Sequence, residues 1–349
     1  MAHLVHRGLD VRDFSLAASR VIARAVPFDG VCVLTMDPAT LLPTSEIVEN
    51  GLPDSATARM TEIELGERDF NKFRQLARSR MPAATLSEAT DGKLDRSLRH
   101  RELKRPHGFG DELRASLVSQ SGTWGGLTLL REAGRANFSS ADAALVASLS
   151  RYLVEGICRA MLLSSPAGEP SEGGTGDVGL VLLEDDGSIA VANTAGRAWL
   201  AELGADRSDV RPPAVIRAAA RRARTAASGT AESDPVASGR VRTAAGRWLV
   251  VRASMLGEHV AVLLERARPP ELAPLIAHAY GLTERERTVT QLVAQGLSTN
   301  EIANQLHLAA YTVQAHLKSI FEKVGVGTPG ELVARLFFDH YAPRFTGGA

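Results

Sequence analysis

Apolar positions along the chain change their period several times, and each change predicts a new element. Between residues 14 and 26 they recur at steps of three and four, which places them on one helix face. Residues 31–36 are a continuous apolar run of strand length. Residues 113–120 and 124–130 read as paired strands around Ser121-Gly122. A long helix follows, with Ser139 placed to cap it, Asp142 in its first turn, and Leu145, Val146, Leu149, Leu153, Val154, Ile157 and Met161 at helical spacing. Alternation returns in VGLVLLEDDGSIAVANTAGRAWLAELGA, where Asp185-Asp186-Gly187 supplies a hairpin turn and Asn193 opens a helix. Residues 247–254 and 259–265 predict two further strands. A helix over 215–226 carries Arg217, Arg221, Arg222 and Arg224. Such a run either binds anions or forms a solvated face, and the solvated face is the ordinary reading.

From Leu282 the helix signals sharpen. Thr283-Glu284-Arg285-Glu286 has the form of a capping box, in which the threonine hydroxyl accepts from the N–H three residues on and the glutamate reaches back. Val289, Leu292 and Val293 make the stripe of a first helix, which Gly296 ends. A second box, Ser298-Thr299-Asn300-Glu301, starts a short helix with Ile302, Ala303 and Leu306 inward. A third helix is expected over 310–324, stopping at Gly325. Val313, Leu317, Ile320, Phe321 and Val324 share one face of it, while Tyr311, Gln314, Ala315, Lys318 and Glu322 share the other. Thr328-Pro329-Gly330-Glu331 reads as a third box with proline at the first helical position, where its missing N–H is harmless. Leu332, Val333, Leu336 and Phe337 follow in a fourth helix. Two short helices joined by a tight turn and braced by a third are the geometry of a DNA-reading helix-turn-helix, with the polar face of the third helix fit for a major groove.

Two stretches break these patterns and read as linkers. Residues 164–177 (SSPAGEPSEGGTGD) lack apolar periodicity, and residues 266–274 (RARPPELAP) hold three prolines. They divide the chain into 1–163, 178–265 and 275–349. With 349 residues, of which 44% are hydrophobic and 23% charged, each of three such units can bury a core. Forty basic and forty acidic residues cancel, so net charge argues for no class of partner. Locally the balance is informative: residues 271–349 hold six Lys and Arg against seven Asp and Glu. Non-specific DNA affinity comes from counterion release at phosphates, so this unit is expected to bind weakly alone and to need a second copy.

Cys32 and Cys158 have no neighbours at disulfide or zinc spacing. His3, His6, His100 and His107 can in principle ligate haem or a metal, though scattered surface histidines are the simpler reading. There is no phosphate loop, metal-spaced set or Gly-x-Ser-x-Gly nucleophile motif, so no enzyme activity, cofactor or metal is expected. The absence of an apolar run of ~20 residues or a signal-peptide pattern predicts a cytoplasmic protein with no membrane partner.

Three segments resemble known families. TWGGLTLLREAGRANFSSADAALVASLS, closing the first unit, resembles a GAF domain, which implies a ligand-sensing α+β fold. The hairpin, Asp-Gly turn and Asn193 of the second unit, with its later strands, resemble a PAS domain and imply a five-stranded sheet. Residues 282–337 resemble the LuxR-type C-terminal domain along their whole length. Its Leu-Thr-x-Arg-Glu, Gly-x-Ser, Glu-Ile-Ala, Thr-Val-x-x-His and Lys-Val/Leu-Gly-Val elements stand at 282–286, 296–298, 301–303, 312–316 and 323–326. The expected architecture is therefore multidomain: an α+β GAF-like domain, an α+β PAS-like domain and an all-α four-helix LuxR-type helix-turn-helix domain.

The last resemblance implies that the third helix is the recognition helix and that the fourth contributes to dimerisation. Gln314, Lys318 and Ser319 are then candidates for groove contacts, and Thr299, Asn300, Tyr311 and Thr312 for phosphate contacts at helix ends. Lys323 is either a further DNA contact or a cation complementing the helix dipole. His316, in phase with Val313 and Ile320, reads as a core histidine. Three departures stand out: Ala309 replaces a serine N-cap, whose loss typically costs ~1 kcal/mol, Gln314 replaces a common lysine, and Gly327-Thr328-Pro329-Gly330 replaces basic residues.

These features together predict a one-component, sequence-specific transcription regulator. Its expected partners are double-stranded DNA, a second copy of the chain, RNA polymerase, and a small molecule in the GAF-like or PAS-like domain. No receiver-domain or autoinducer-binding pattern is recognisable. The alternative is a sensory or signalling protein whose C-terminal helices bind a protein partner.

Overall fold

The computed structural model describes residues 1–119, 122–163, 178–204, 212–229 and 237–338. One compact unit, residues 1–119 and 123–267, holds two five-stranded sheets, and a separate helical unit begins at Arg268. The expected linker at 164–177 lies outside the described residues.

The first sheet has the order β2-β1-β5-β4-β3, formed by β1 (Gly30–Met36), β2 (Pro43–Glu49), β3 (Ala83–Thr85), β4 (Phe109–Ser119) and β5 (Gly122–Glu132). The short α1 (Ala2–Val5) precedes α2 (Val11–Ala23), and α6 (Ser140–Leu163) closes this half of the unit. Phe14, Ala18 and Ile22 of α2 meet Leu153 and Ile157 of α6 over Val33, Leu117 and Leu127 of the sheet. Gly156 permits this approach, since a Cβ there would stand 1.8 Å from the Phe14 ring. Ser139 caps α6 as its sequence predicts, accepting from Asp142 N at 3.1 Å.

The opposite face of the sheet is charged and buried. It is enclosed by α3 (Thr57–Gly66), α4 (Phe73–Ala77), α5 (Leu86–Ala89) and the turns after them. Glu112 and Arg114 alternate with Leu113 along β4, so they point away from α6. Arg99 donates to Glu112 (Nε–Oε1, 2.6 Å) and Asp69 (Nη1–Oδ2, 2.9 Å), Lys104 also pairs with Glu112, and Arg114 donates to Glu64 at 2.8 Å while stacking on Phe73. Desolvating an ion costs several kcal/mol, which is why each cation here has a carboxylate. His100 is buried in this region beside Asp95, and His107 Nδ1 lies 2.6 Å from Leu103 O. Among the described residues no group of three or more His, Cys, Asp or Glu is placed to hold a metal ion.

The second sheet has the order β7-β6-β10-β9-β8, from β6 (Gly179–Leu183), β7 (Ile189–Ala192), β8 (Ala237–Arg242), β9 (Trp248–Leu256) and β10 (His259–Arg266). Gly187 takes the left-handed conformation at the predicted Asp-Gly turn, with φ 83°. Asn193 caps α7 (Thr194–Glu202) by accepting from Gly196 N at 2.7 Å, and it ties that helix to β6 by accepting from Leu180 N at 3.0 Å. The alanine face of α8 (Ala214–Ala227), including Ala219 and Ala223, lies on the core of this sheet.

The arginines of α8 are not a solvated face. Arg217 reaches Glu46 of the first sheet at 3.1 Å, Arg222 donates to Thr40 O at 2.7 Å, and Arg224 donates to Glu184 O. Their partners lie 40 to 182 residues away, so helix periodicity could not show them. The β1–β2 turn completes the junction. Asp37, almost wholly buried, accepts from Arg240 N (2.8 Å), Nε (2.8 Å) and Nη2 (2.6 Å), and Leu42 is fully buried in the core of the second sheet.

The helical unit has one helix more than its sequence predicts. The prolines at 269 and 270 open α9 (Pro269–Ala279), in the stretch that composition assigns to a linker. Proline is compatible with the first turn of a helix, whose N–H groups have no internal acceptor. Leu272, Leu275 and Ile276 of α9 are buried. After it come α10 (Glu284–Ala294), α11 (Thr299–Leu306), α12 (Ala310–Val324) and α13 (Pro329–Val333), the last continued by a wider turn, Ala334–Phe338. No helix among the described residues is long and apolar enough to cross a membrane.

Asp37→Ala removes a buried partner of Arg240 and is expected to lower the stability of the two-sheet unit by about 3 kcal/mol, read from the urea midpoint. Because Leu42 belongs to the second core, amide exchange in β1 and β10 should accelerate together. Acceleration confined to the first sheet would contradict a shared core.

Candidate nucleic-acid interface

The C-terminal helices are set by their caps. Thr283 Oγ1 accepts from Glu286 N at 3.3 Å and Glu286 Oε2 accepts from Thr283 N at 2.7 Å, closing the first box. Ser298 and Glu301 close the second in the same way, with Ser298 N donating to Glu301 Oε2 at 2.8 Å. At the third site Thr328 Oγ1 accepts from Glu331 N at 3.1 Å, but the Glu331 carboxylate accepts from Gly327 N at 2.7 Å. That box is shifted by one residue, with Gly327 N in place of the N-cap N–H.

Between α11 and α12 the chain turns in three residues. His307 adopts the left-handed conformation (φ 52°) usually given to glycine, and Leu308 N closes onto Ala303 O at 2.9 Å. Ala309 then starts α12 without a side-chain cap. Ile302, Ala303, Val313, Ile320 and Val324 are buried with Val289 and Leu292 of α10, so α11 and α12 are held on one core.

The eight residues singled out from sequence do not share one environment. Tyr311 (81% exposed), Gln314 and Lys318 are exposed along the outer face of α12 with Ala315 and Glu322. Asn300 is exposed and Thr299 half-buried in the first turn of α11, and Thr312 is half-buried in the first turn of α12. Ser319 and Lys323 are turned toward α10, where Ser319 Oγ donates to Glu286 Oε1 at 2.7 Å and Lys323 Nζ to Glu286 Oε2 at 2.6 Å. Leu317 and Phe321, expected inside, are half-buried and line a groove on α12 with Gln314, Lys318, Glu322 and Val326. His316 is likewise half-buried rather than in the core.

Glu286 is therefore a structural centre that its sequence position announced only as a cap. Burial pushes its pKa up, but the Lys323 ammonium, the Ser319 hydroxyl and the Thr283 N–H outweigh burial and hold it at about 2. A second cation, Arg285, is spent on Leu306 O at the end of α11, at 3.1 Å.

Residues 281–335 match the family model described as "Bacterial regulatory proteins, luxR family". The transcriptional regulatory protein UhpA of Escherichia coli is 45% identical over 56 residues, which are 16% of this chain and 29% of UhpA. The HTH-type transcriptional regulator MalT of Yersinia pestis is 37% identical over 71 residues, 20% of this chain and 7% of MalT. The chain thus covers less than a third of either relative. Among solved structures, Escherichia coli SdiA aligns over 96% of this chain and 94% of its own, at 11% identity and a TM-score of 0.31.

The folded pKa of Glu286 lies below its ordinary value of 4.5, so its stabilisation is complete above about pH 4.5 and is lost as pH falls toward 2. Discounted for the partly exposed Lys323, Glu286→Gln is expected to cost roughly 2 kcal/mol at pH 7 and far less at pH 3, measured by thermal unfolding of the full chain. Equal losses at both pH values would sink this account. Ala309→Ser should add ~1 kcal/mol by capping α12, and no gain in the same measurement would contradict an uncapped start. The tie from Glu286 to Ser319 and Lys323 gives the Leu-Thr-x-Arg-Glu element its physical meaning, and residues 281–335 are a LuxR-type helix-turn-helix domain.

Proposed function

We propose that the chain is a sequence-specific DNA-binding transcription regulator acting as a homodimer, with α12 as its recognition helix. The observation that carries this reading is the exposed face of α12, where Tyr311, Gln314 and Lys318 project from a helix fixed to α10 through Glu286. Gln314 presents both a donor and an acceptor to a base edge and Lys318 presents donors to guanine or phosphate. The N–H groups at the starts of α11 and α12, near Thr299, Asn300 and Thr312, suit phosphate oxygens. Ser319 and Lys323 serve chiefly by holding the helix in place, since both already donate to Glu286.

The two-sheet unit is the sensory part, in keeping with its GAF-like and PAS-like sequence patterns, and a small molecule is its signal. The five strands of the second sheet, the number the PAS-like pattern implies, support this assignment. With Arg285 and Lys323 engaged internally, one copy offers few cations to DNA, which favours two copies on one site. RNA polymerase is the downstream partner, and the cytoplasm the compartment.

Selection from a random-sequence duplex pool, followed by fluorescence anisotropy, tests this function. The unaltered protein should enrich a two-fold symmetric sequence. Gln314→Ala with Lys318→Ala should weaken binding at least about a thousandfold, as expected from the loss of four contacts, two in each copy, worth ~1–3 kcal/mol each. Losing Lys318 from both copies should also reduce the slope of log affinity against log salt by about 2. Failure to enrich any sequence would refute DNA recognition, whereas intact binding by the double variant would refute only the assignment of α12.

A further inference from the structure

The second sheet uses one face for its core; on the other, Trp248, Val250 and Ala261 are covered, while the part around β6 and β7 is exposed. Val181, Leu183, Val260 and Val262 turn inward toward the core beneath α8. Because side chains alternate, the pairings Leu180↔Leu263, Leu182↔Ala261 and Leu182↔Val191 set these other residues side by side on the outer face. Leu180 is 40% and Val191 54% exposed, and Leu256, at the end of β9 on the same face, is 59% exposed. One exposed leucine is ordinary. Neighbouring apolar side chains crossing β7, β6 and β10 form a continuous patch, the kind of surface that marks a contact with another macromolecule.

The charges flanking this patch identify the contact. On the β9–β10 side, Arg252 Nη1 lies 2.5 Å from Glu265 Oε2, and near the opposite end of the strands His259 Nδ1 lies 3.3 Å from Glu184 Oε2. Arg252 and Glu265 cancel within one face, which gives no attraction for nucleic acid or for a strongly charged protein. The same pattern is complementary to itself: across a two-fold axis, Arg252 of one copy can be set against Glu265 of the other.

We propose that the outer face of the second sheet is where two copies of the chain join, with Leu180, Leu182, Val191 and Leu263 as the dry centre and the Arg252–Glu265 pairs at the rim. This rests on the reading of the protein as a homodimer and assigns that dimer its surface. The joined sheets then carry two helical units, supplying the second set of DNA contacts that one copy lacks.

Sedimentation velocity on the full-length chain tests the proposal. The unaltered protein should sediment as a dimer, and Leu180→Arg with Val191→Arg as a monomer with an unchanged circular dichroism spectrum, since both side chains are exposed. Val191→Ser, a milder change outside the core, should raise the dimer dissociation constant at least tenfold. Arg252→Glu should weaken the dimer similarly, and adding Glu265→Arg to the same chain should restore it. Dimers of undiminished affinity in Val191→Ser and Arg252→Glu would overturn the assignment of this face while leaving the homodimer standing. A monomeric unaltered protein, with or without its selected DNA, would overturn the homodimer itself.

Discussion

One buried carboxylate organises the helical unit. Glu286 receives an N–H from Thr283, a hydroxyl from Ser319 and an ammonium from Lys323, so the start of α10 and the inner side of α12 share a single acceptor. A carboxylate this enclosed is tolerated only when its lone pairs are used, and here the donors more than offset the cost of burial. The consequence is geometric. The helix proposed to read base edges, α12, is fixed by two charge-assisted bonds besides its apolar contacts.

The same economy shapes the outer surface. Lys323 and Arg285 hold the helices together, and the proposed phosphate contacts fall to other groups, among them Lys318 and the helix N-termini. On the proposed reading, a domain built this way binds DNA through shape and a second copy more than through charge. The proposed joining of two copies through the second sheet would meet that demand.

What could be read from sequence was what depends on near neighbours. The boxes at Thr283 and Ser298, the Asp-Gly turn before Gly187 and the cap at Asn193 are completed within a few residues, and the structure contains each of them. The failures share a cause. Glu286 meets Ser319 and Lys323 33 and 37 residues later, and Arg114 meets Glu64 50 residues earlier. Glu112 and Arg114 have the period of a solvated strand face, yet three helices cover them, and the arginines of α8 look solvated until the first sheet is placed beside them. The prolines at 269 and 270 signal a break only if they fall inside a helix, and here they begin one.

Leu42 sits at the tip of a turn in one sheet and in the middle of the core of the other. Domains joined by a tether can be exchanged as cassettes, since nothing but chain length connects them. These two cannot, because the core of the second is incomplete without Leu42 of the first. Any displacement of the β1–β2 turn is already a rearrangement of packing beneath the second sheet, transmitted without a linker having to tighten or slacken.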